Sequence, residues 1–172
     1  MRRFHFIFLV LSFFIFCKGA PIAAQTQQEK PTITATAFPK QIGFVNDFEN
    51  IFTEEQKTQL TKLLTYYYEN SSREITVVTL NAIPNTTEFG NYAIALSDHW
   101  NRSKNNNENA LTIVMSKSLR EIRISTTDKT RLSLTDDFCK TVIYEFMIPE
   151  FKKDNYFDGL LFGYNELIVK WR

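Results

Sequence analysis

The hydrophobic positions after residue 44 follow a helical spacing in four segments. Thr53 and Gln56 begin the first segment with the spacing of a capping box, in which a hydroxyl and an amide each satisfy a backbone N–H at a helix start. The apolar residues that follow recur at intervals of three and four positions, as on one face of a helix. Pro149 stops or kinks the third segment, because proline lacks the N–H of the helical hydrogen bond. The pattern predicts four amphipathic helices, over about residues 53–69, 89–100, 135–149 and 156–171.

Three apolar or β-branched runs between these segments predict strands. Residues 74–80 and 110–115 are apolar on both faces, as in strands that are covered on both sides. In residues 120–125, Ile122 and Ile124 alternate with polar residues, which predicts one solvent-exposed face near a sheet edge. The helices are numerous enough to cover both faces of a small mixed sheet. We therefore predict an α/β fold, a three-layer α/β/α sandwich with about four helices around the sheet.

The first 24 residues have the pattern of a secretory signal peptide. Arg2 and Arg3 precede an apolar run from Phe4 to Cys17, and a segment of helix-breaking and small residues follows up to Ala24. A basic start, a short apolar run and a small-residue exit are typical of a cleaved signal. The alternative is an uncleaved membrane anchor, although a span takes about 20 apolar residues. We expect a periplasmic or secreted protein with a signal peptide at 1–24, a flexible polar leader at 25–43 and a folded domain at 44–172.

Composition excludes several classes of protein. The chain has 20 Lys and Arg against 19 Asp and Glu, so it lacks the basic excess of a nucleic-acid-binding protein. After removal of the signal peptide, Cys139 and His99 are the only cysteine and histidine. That inventory leaves no pair for a disulfide, too few ligands for a zinc site and no evident nucleophile–base pair. Cys139 lies in an apolar stripe, so we expect it to be a small core residue. We interpret His99 as a structural residue.

Carboxylate and amide side chains gather instead in the predicted loops. Calcium and other hard cations take oxygen ligands of this kind, and a site would have to be assembled from distant segments. Asp136 and Asp137 open a predicted helix, where acids favour the helix dipole without any ion. The remaining loop donors are Asn46, Asp47, Glu108, Asn109 and Asp128.

Four stretches carry a family resemblance. In Phe44–Gln56, the residues V-N-D and an aromatic residue precede a helix; the strand Ile75–Leu80 and the passage Trp100–Leu111 follow in order. Ile148–Leu160 is similar to the pattern I-P-x-F-x-x-G-x-Y-x-x-G-L. Together these stretches resemble the TPM domain, a family named for thylakoid-lumen, phosphatase-like and receptor-modulator members. The resemblance extends from residue 44 to the C-terminus.

This resemblance implies an α/β/α sandwich that works outside the cytoplasm, tethered to or released from a membrane. Some members resemble calcium-binding proteins, and an acid-phosphatase activity has been attributed to plant members. The family has N-G where this chain has Asn109-Ala110, and a G-x-G-L-E turn where residues 127–131 include Lys129 and Arg131. Loss of both glycines removes backbone freedom near a ligand, and the basic side chains replace an acid. The resemblance thus implies a degraded calcium site, weak or empty, formed by Asp47, Glu108 and Asn109 with Asp128 as a substitute.

Three functional hypotheses follow. The first is a monomeric, non-enzymatic interaction or regulatory module of the cell envelope, whose partner is another envelope or membrane protein. The second is a metal-assisted phosphatase of the acid-phosphatase type, which would use a divalent ion to activate water. The third is a regulatory calcium-binding domain. We favour the first hypothesis because a nucleophile–base pair is lacking and the turn at residues 127–131 is basic.

Overall fold

The computed structural model describes residues 38–103 and 107–172. These residues contain a four-stranded mixed sheet in the order β1-β2-β3-β4. The first three strands are parallel, and β4 runs antiparallel to β3 at the edge of the sheet. The mixed sheet and the edge position of β4 confirm the prediction. The strands are β1 (Val45–Asp47), β2 (Glu74–Thr79), β3 (Ala110–Ser116) and β4 (Glu121–Thr126).

Helices cover both faces of this sheet. Side chains of β2 and β3 point alternately to two cores, because successive residues of a strand face opposite ways. Ile75, Val77 and Ile113 pack with α1, α4 and α6, whereas Val78 and Val114 pack with α2. The three-layer α/β/α arrangement is therefore confirmed. The helices are α1 (Glu54–Ser71), α2 (Phe89–Ser103), α3 (Asp128–Arg131), α4 (Asp136–Thr141), α5 (Ile148–Phe151) and α6 (Tyr156–Lys170), with a π-helical turn at Val142–Met147 between α4 and α5.

The two helical crossovers of the sheet have opposite hands. Helix α1 connects β1 to β2 and helix α2 connects β2 to β3, and both connections advance the same way across the sheet. The two helices lie on opposite faces, so one crossover is left-handed. About 98% of crossovers between parallel strands are right-handed. A left-handed crossover is therefore not predictable from the sequence pattern.

Strand β1 is missing from the sequence-based prediction. It has three residues and no apolar run, yet its central residue Asn46 is completely buried. The Asn46 side chain accepts a hydrogen bond from the Ile42 N–H (2.7 Å) and donates to the carbonyls of Gly43 (2.8 Å) and Val77 (3.3 Å). A buried amide with these partners holds the chain against β2, which explains why so short a strand forms.

The predicted third helix carries one continuous apolar stripe, but its backbone hydrogen bonds change from the α-helical to the π-helical pattern and back along its length. Thr135 caps α4, and the Val142–Met147 turn then widens to the π form before Pro149. The Ile148 N–H bonds to the Ile143 carbonyl, five residues back. A wider turn fits the missing N–H and the ring of a proline, so Pro149 modifies the helix without ending it there.

Residues 38–43, which the sequence analysis assigned to the flexible leader, contact the folded domain. The Phe38 ring lies 5.2 Å from the ring of Tyr92, and the Trp100 Nε1–H donates to the Pro39 carbonyl at 3.0 Å. The predicted signal peptide and the leader up to residue 37 lie outside the described residues. Among the described helices, we find none with the length and apolar content that a membrane crossing requires.

Candidate functional site

Strand direction separates the four residues expected to bind a metal. Asp47 ends β1 and pairs with Thr79, at the carboxyl end of β2. Glu108 and Asn109 precede β3 at the opposite end, and Asp128 follows the antiparallel β4 at that same opposite end. The two ends of β2, Glu74 and Thr79, are five residue steps apart, a distance of about 16 Å at ~3.3 Å per residue. The four residues therefore do not meet at one site.

The Asp47 carboxylate is used inside the protein. Its Oδ1 accepts hydrogen bonds from the Ile51 N–H (3.2 Å) and the Thr79 hydroxyl (2.5 Å), and its Oδ2 accepts from the Phe52 N–H (3.0 Å). These bonds close the loop between β1 and α1. Asp47 is thus a structural acceptor in this arrangement.

The acids at the other end of the sheet lie beside basic side chains. In the segment 127–131, predicted as a turn, Asp128–Arg131 form the short helix α3 and Thr127 is its N-cap. The Asp128 Oδ1 lies 3.0 Å from Nη1 of Arg131, and the Glu108 Oε2 lies 4.0 Å from Nζ of Lys129. Within the described residues, no three His, Cys, Asp or Glu side chains form a group that could hold a metal ion. Calcium binding stays a prediction that this geometry does not favour.

His99 and Cys139 lie in different layers of the sandwich. The His99 ring, on α2, is 5.3 Å from the ring of Phe38. Cys139 is 4% exposed in the core on the other face of the sheet. Burial there raises the pKa of its thiol to about 11, so the thiol is protonated at neutral pH. A protonated, buried thiol is a poor nucleophile, in agreement with the predicted core role.

A cleft of about 800 Å³ opens at the carboxyl end of β3, between the β3–β4 turn and the α5–α6 connection. We call it the basic cleft. Its apolar lining is buried or half-buried, and its charged side chains are exposed. The apolar residues are Met115, Ile122, Ile148 and Phe151; the basic residues are Lys117, Arg120, Lys152 and Lys153; Glu121, Asp154, Ser116 and Tyr156 complete the lining.

The β3–β4 turn at the mouth of this cleft is stabilised by hydrogen bonds to Glu49. The Glu49 carboxylate accepts hydrogen bonds from the Lys117 N–H (2.8 Å) and the Ser118 N–H (2.7 Å). The turn closes with a bond from the Arg120 N–H to the Lys117 carbonyl at 3.3 Å. Arg120 ends the turn with φ of 57°, a left-handed conformation that glycine and asparagine adopt more readily than arginine.

The opposite wall of the cleft comes from the α5–α6 connection. Asp154 has φ of 66° and stands at the first glycine of the I-P-x-F-x-x-G pattern, so this chain places a carboxylate at a left-handed position. Its Oδ1 lies 2.8 Å from Nζ of Lys117, and its Oδ2 accepts a hydrogen bond from the same Nζ at 3.0 Å, which raises the pKa of the lysine. The Tyr156 ring stacks on Phe151 at 5.0 Å, and Lys117 Nζ lies 5.2 Å from its centre.

Sequence reasoning identified only part of this cleft. It singled out the Ile148–Leu160 pattern, but not the basic residues of the β3–β4 turn. The available signal was weak: Lys117 and Arg120 lie in or beside a predicted turn, and Lys152 and Lys153 occupy variable positions of the pattern. Their proximity depends on the packing of α5 against the carboxyl end of β3, which no local spacing reveals.

Comparison with known proteins agrees with the fold and the sequence pattern. The N-terminal domain of a protein from P. gingivalis is 26% identical, with a TM-score of 0.64 over 74% of this chain and 79% of that chain. The N-terminal domain of the cg2496 protein from Corynebacterium glutamicum is 10% identical, with a TM-score of 0.57 over 83% and 89%. The BA42 protein from the psychrophilic bacterium Bizionia argentinensis is 20% identical, with a TM-score of 0.58 over 73% and 88%.

The similarities to the cg2496 and BA42 proteins, at 10% and 20% identity, concern the fold alone. No curated protein matches the chain. Residues 45–170 match the TPM domain, a stretch that contains all four strands and every described helix. The resemblance inferred from the sequence is thereby confirmed, and this chain belongs to the TPM domain family.

Proposed function

We propose that this chain is an exported, non-enzymatic interaction module that binds its ligand in the basic cleft. The observation that carries the proposal is the cleft itself, a concave site of about 800 Å³ with an apolar lining and exposed cationic groups. Ligand sites are typically concave and largely apolar, with a few polar groups that fix orientation. The proposed cleft also lies at the carboxyl end of β3, on the edge of the sheet where open α/β sheets bind their ligands.

The groups around the cleft are suited to binding more than to proton transfer. Lys117 has a raised pKa because Asp154 accepts its hydrogen bond, and burial raises the pKa of the Tyr156 hydroxyl. Both groups therefore keep their protons at neutral pH. The carboxylates of Asp47 and Glu49 are occupied by backbone N–H groups of nearby loops. These contacts favour a rigid recognition surface.

Export and an envelope partner form part of the same proposal. Support comes from the signal-peptide pattern of residues 1–24 and from membership in a family whose resemblance implies work outside the cytoplasm. Mass measurement of the protein recovered from its native host tests this part. We expect the mass of a chain cleaved near Ala24. Recovery of the full-length mass from the cytoplasm would contradict export.

The non-enzymatic part is tested by hydrolysis of p-nitrophenyl phosphate with and without calcium or magnesium, from acidic to mildly alkaline pH. We expect no release of nitrophenol above the blank at any pH. Saturable hydrolysis that disappears in Lys117→Gln would overturn the proposal and support a metal-assisted phosphatase. Saturable calcium-induced shifts of backbone amide signals without turnover would instead support the calcium-binding hypothesis.

A further inference from the structure

We infer that the basic cleft binds a small anionic amphiphile, a phosphate or carboxylate group attached to an apolar body, with the Arg120 guanidinium as the main contact to the anion. This inference rests on the proposed function, because it names the ligand class of the same cleft. It goes further in assigning the charge of the ligand, its apolar part and the residue that recognises the charge.

The charges of the cleft are not balanced. Four cationic side chains and two carboxylates line it. Lys117 pairs with the lining residue Asp154 at 2.8 Å, and Lys153 pairs at 2.6 Å with Glu150, which lies outside the lining. The other lining carboxylate, Glu121, is exposed, and the lining keeps a net charge of +2 (four cations minus two carboxylates). Arg120 and Lys152 form no ion pair with any carboxylate in the part of the chain that the structure describes. These two cations remain available for an anion, and the planar guanidinium matches a phosphate or carboxylate in a bidentate manner.

The backbone of Arg120 supports this assignment. Arginine occupies a left-handed position, with φ of 57°, at the end of a turn that Glu49 fixes through the Lys117 and Ser118 N–H groups. Asp154, on the facing wall, is left-handed as well. Residues in sparsely populated conformations tend to cluster at functional sites. The turn thus carries a charged side chain at a position where glycine would adopt the left-handed conformation with less steric strain.

The rest of the lining accounts for the apolar part of the ligand. Met115 is buried, while Ile122, Ile148 and Phe151 are half-buried and face the cleft. The stacked rings of Phe151 and Tyr156 add a flat apolar surface. An inorganic anion alone would leave the apolar lining without contacts. A ligand with an anionic group and an apolar body therefore fits the cleft better.

The test compares four probes on the purified chain by backbone amide NMR: hexyl phosphate, hexanoate, inorganic phosphate and hexanol. We expect shifts confined to residues 116–122 and 148–156, with hexyl phosphate or hexanoate binding at least tenfold more tightly than inorganic phosphate or hexanol. Arg120→Gly should weaken the better anionic probe about tenfold or more, the typical loss of one charge-assisted contact. The variant should fold normally, since glycine adopts a left-handed conformation without strain.

Ser72→Gly is the matched control. Ser72 is also left-handed, with φ of 55°, but it caps the end of α1 away from the cleft. Its substitution should leave the affinity for every probe unchanged. Equal affinity of Arg120→Gly and the natural chain, or anionic probes no better than hexanol, would overturn the inference while leaving the cleft as a binding site. Shifts centred outside the cleft, or release of inorganic phosphate from hexyl phosphate, would instead overturn the proposed function.

Discussion

At the scale of single residues, Asp47 shows how an acid that is typical of a metal ligand can serve the fold. Its two oxygens accept bonds from two backbone N–H groups and one hydroxyl. The sequence predicts this carboxylate in a loop, whereas in the structure it is the last residue of β1. Its partners became visible only in the structure, because Thr79 is 32 residues away along the chain.

We expect Asp47→Ala to lower the free energy of unfolding by about 2–3 kcal/mol, because it leaves partly buried N–H donors without an acceptor. Urea unfolding measures the change. Asp128→Asn is the control: the Asp128 side chain is 99% exposed, and its substitution should change the stability by less than about 0.5 kcal/mol. Equal effects of the two substitutions would contradict a structural role for Asp47.

Cys139 gives a prediction about alkaline pH. Burial raises its thiol pKa from 9.0 to about 11, so above pH 9 the folded chain retains a proton that the unfolded chain releases. The stabilisation from this group is complete below pH 9 and is lost as the pH rises towards 11. The stability advantage of the natural chain over Cys139→Ala should therefore shrink across this interval.

Urea unfolding of both proteins at a series of pH values measures that advantage, and the comparison cancels the titration of the lysines and tyrosines. Reaction with a thiol reagent at neutral pH should also be slow until the chain is unfolded. An advantage that stays constant with pH, or rapid labelling of the folded chain, would show that the thiol is not buried as described.

At the scale of elements, the packing of α6 against α5 and the π-helical turn depends on glycine. A Cβ at Gly159 would lie 2.5 Å from a ring carbon of Phe151 and 2.9 Å from the Met147 carbonyl oxygen. These distances are too short for van der Waals contact. The sequence indicated the helix and its apolar stripe, whereas the reason for its glycines comes from the neighbouring element.

We expect Gly159→Ala to destabilise the protein by about 1–3 kcal/mol through overpacking, even though alanine is the better helix former. Gly90→Ala is the matched control on α2, where the nearest atom to the new Cβ would be 3.8 Å away. Its effect on the midpoint of thermal unfolding should be small or favourable. A comparable loss of stability in both variants would argue against the close contact with Phe151.

The predicted elements were largely confirmed because their signals are local. The capping box of Thr53 and Gln56 is present in the structure, with bonds of 2.9 and 3.2 Å. Strand β1 was missed because three residues carry no periodicity, and its stability comes from the buried Asn46 amide. The π-helical turn was missed because a change of hydrogen-bond partner leaves the apolar stripe almost unaltered.

At the scale of the whole molecule, the folded region begins before the predicted boundary at residue 44. The Pro39 carbonyl accepts a bond from Trp100, and the Phe38 ring contacts the rings of Tyr92 and His99. These contacts add residues 38–43 to the side of the sandwich that α2 forms.

A chain that begins at residue 44 should therefore be less stable than one that begins at residue 38, by about 1–3 kcal/mol, because it loses apolar burial and the hydrogen bonds that Trp100 and Asn46 make to residues 39–43. Urea unfolding of the two truncated chains measures the difference. As an independent readout, the fluorescence of Trp100 should shift to longer wavelength in the shorter chain. Identical stability and fluorescence would mean that residues 38–43 contribute nothing to the fold.

Most helices and strands, the residues that face the cores, the family and the core position of Cys139 could be predicted from the amino-acid sequence, because periodicity, capping and burial tendencies are properties of neighbouring residues. The order of the strands, the opposite hands of the two crossovers and the separation of Asp47 from Glu108, Asn109 and Asp128 emerged only from the folded chain. Folding also brought the β3–β4 turn to the α5–α6 connection and so formed the basic cleft. These features depend on pairing between segments far apart in the chain, which local spacing does not encode.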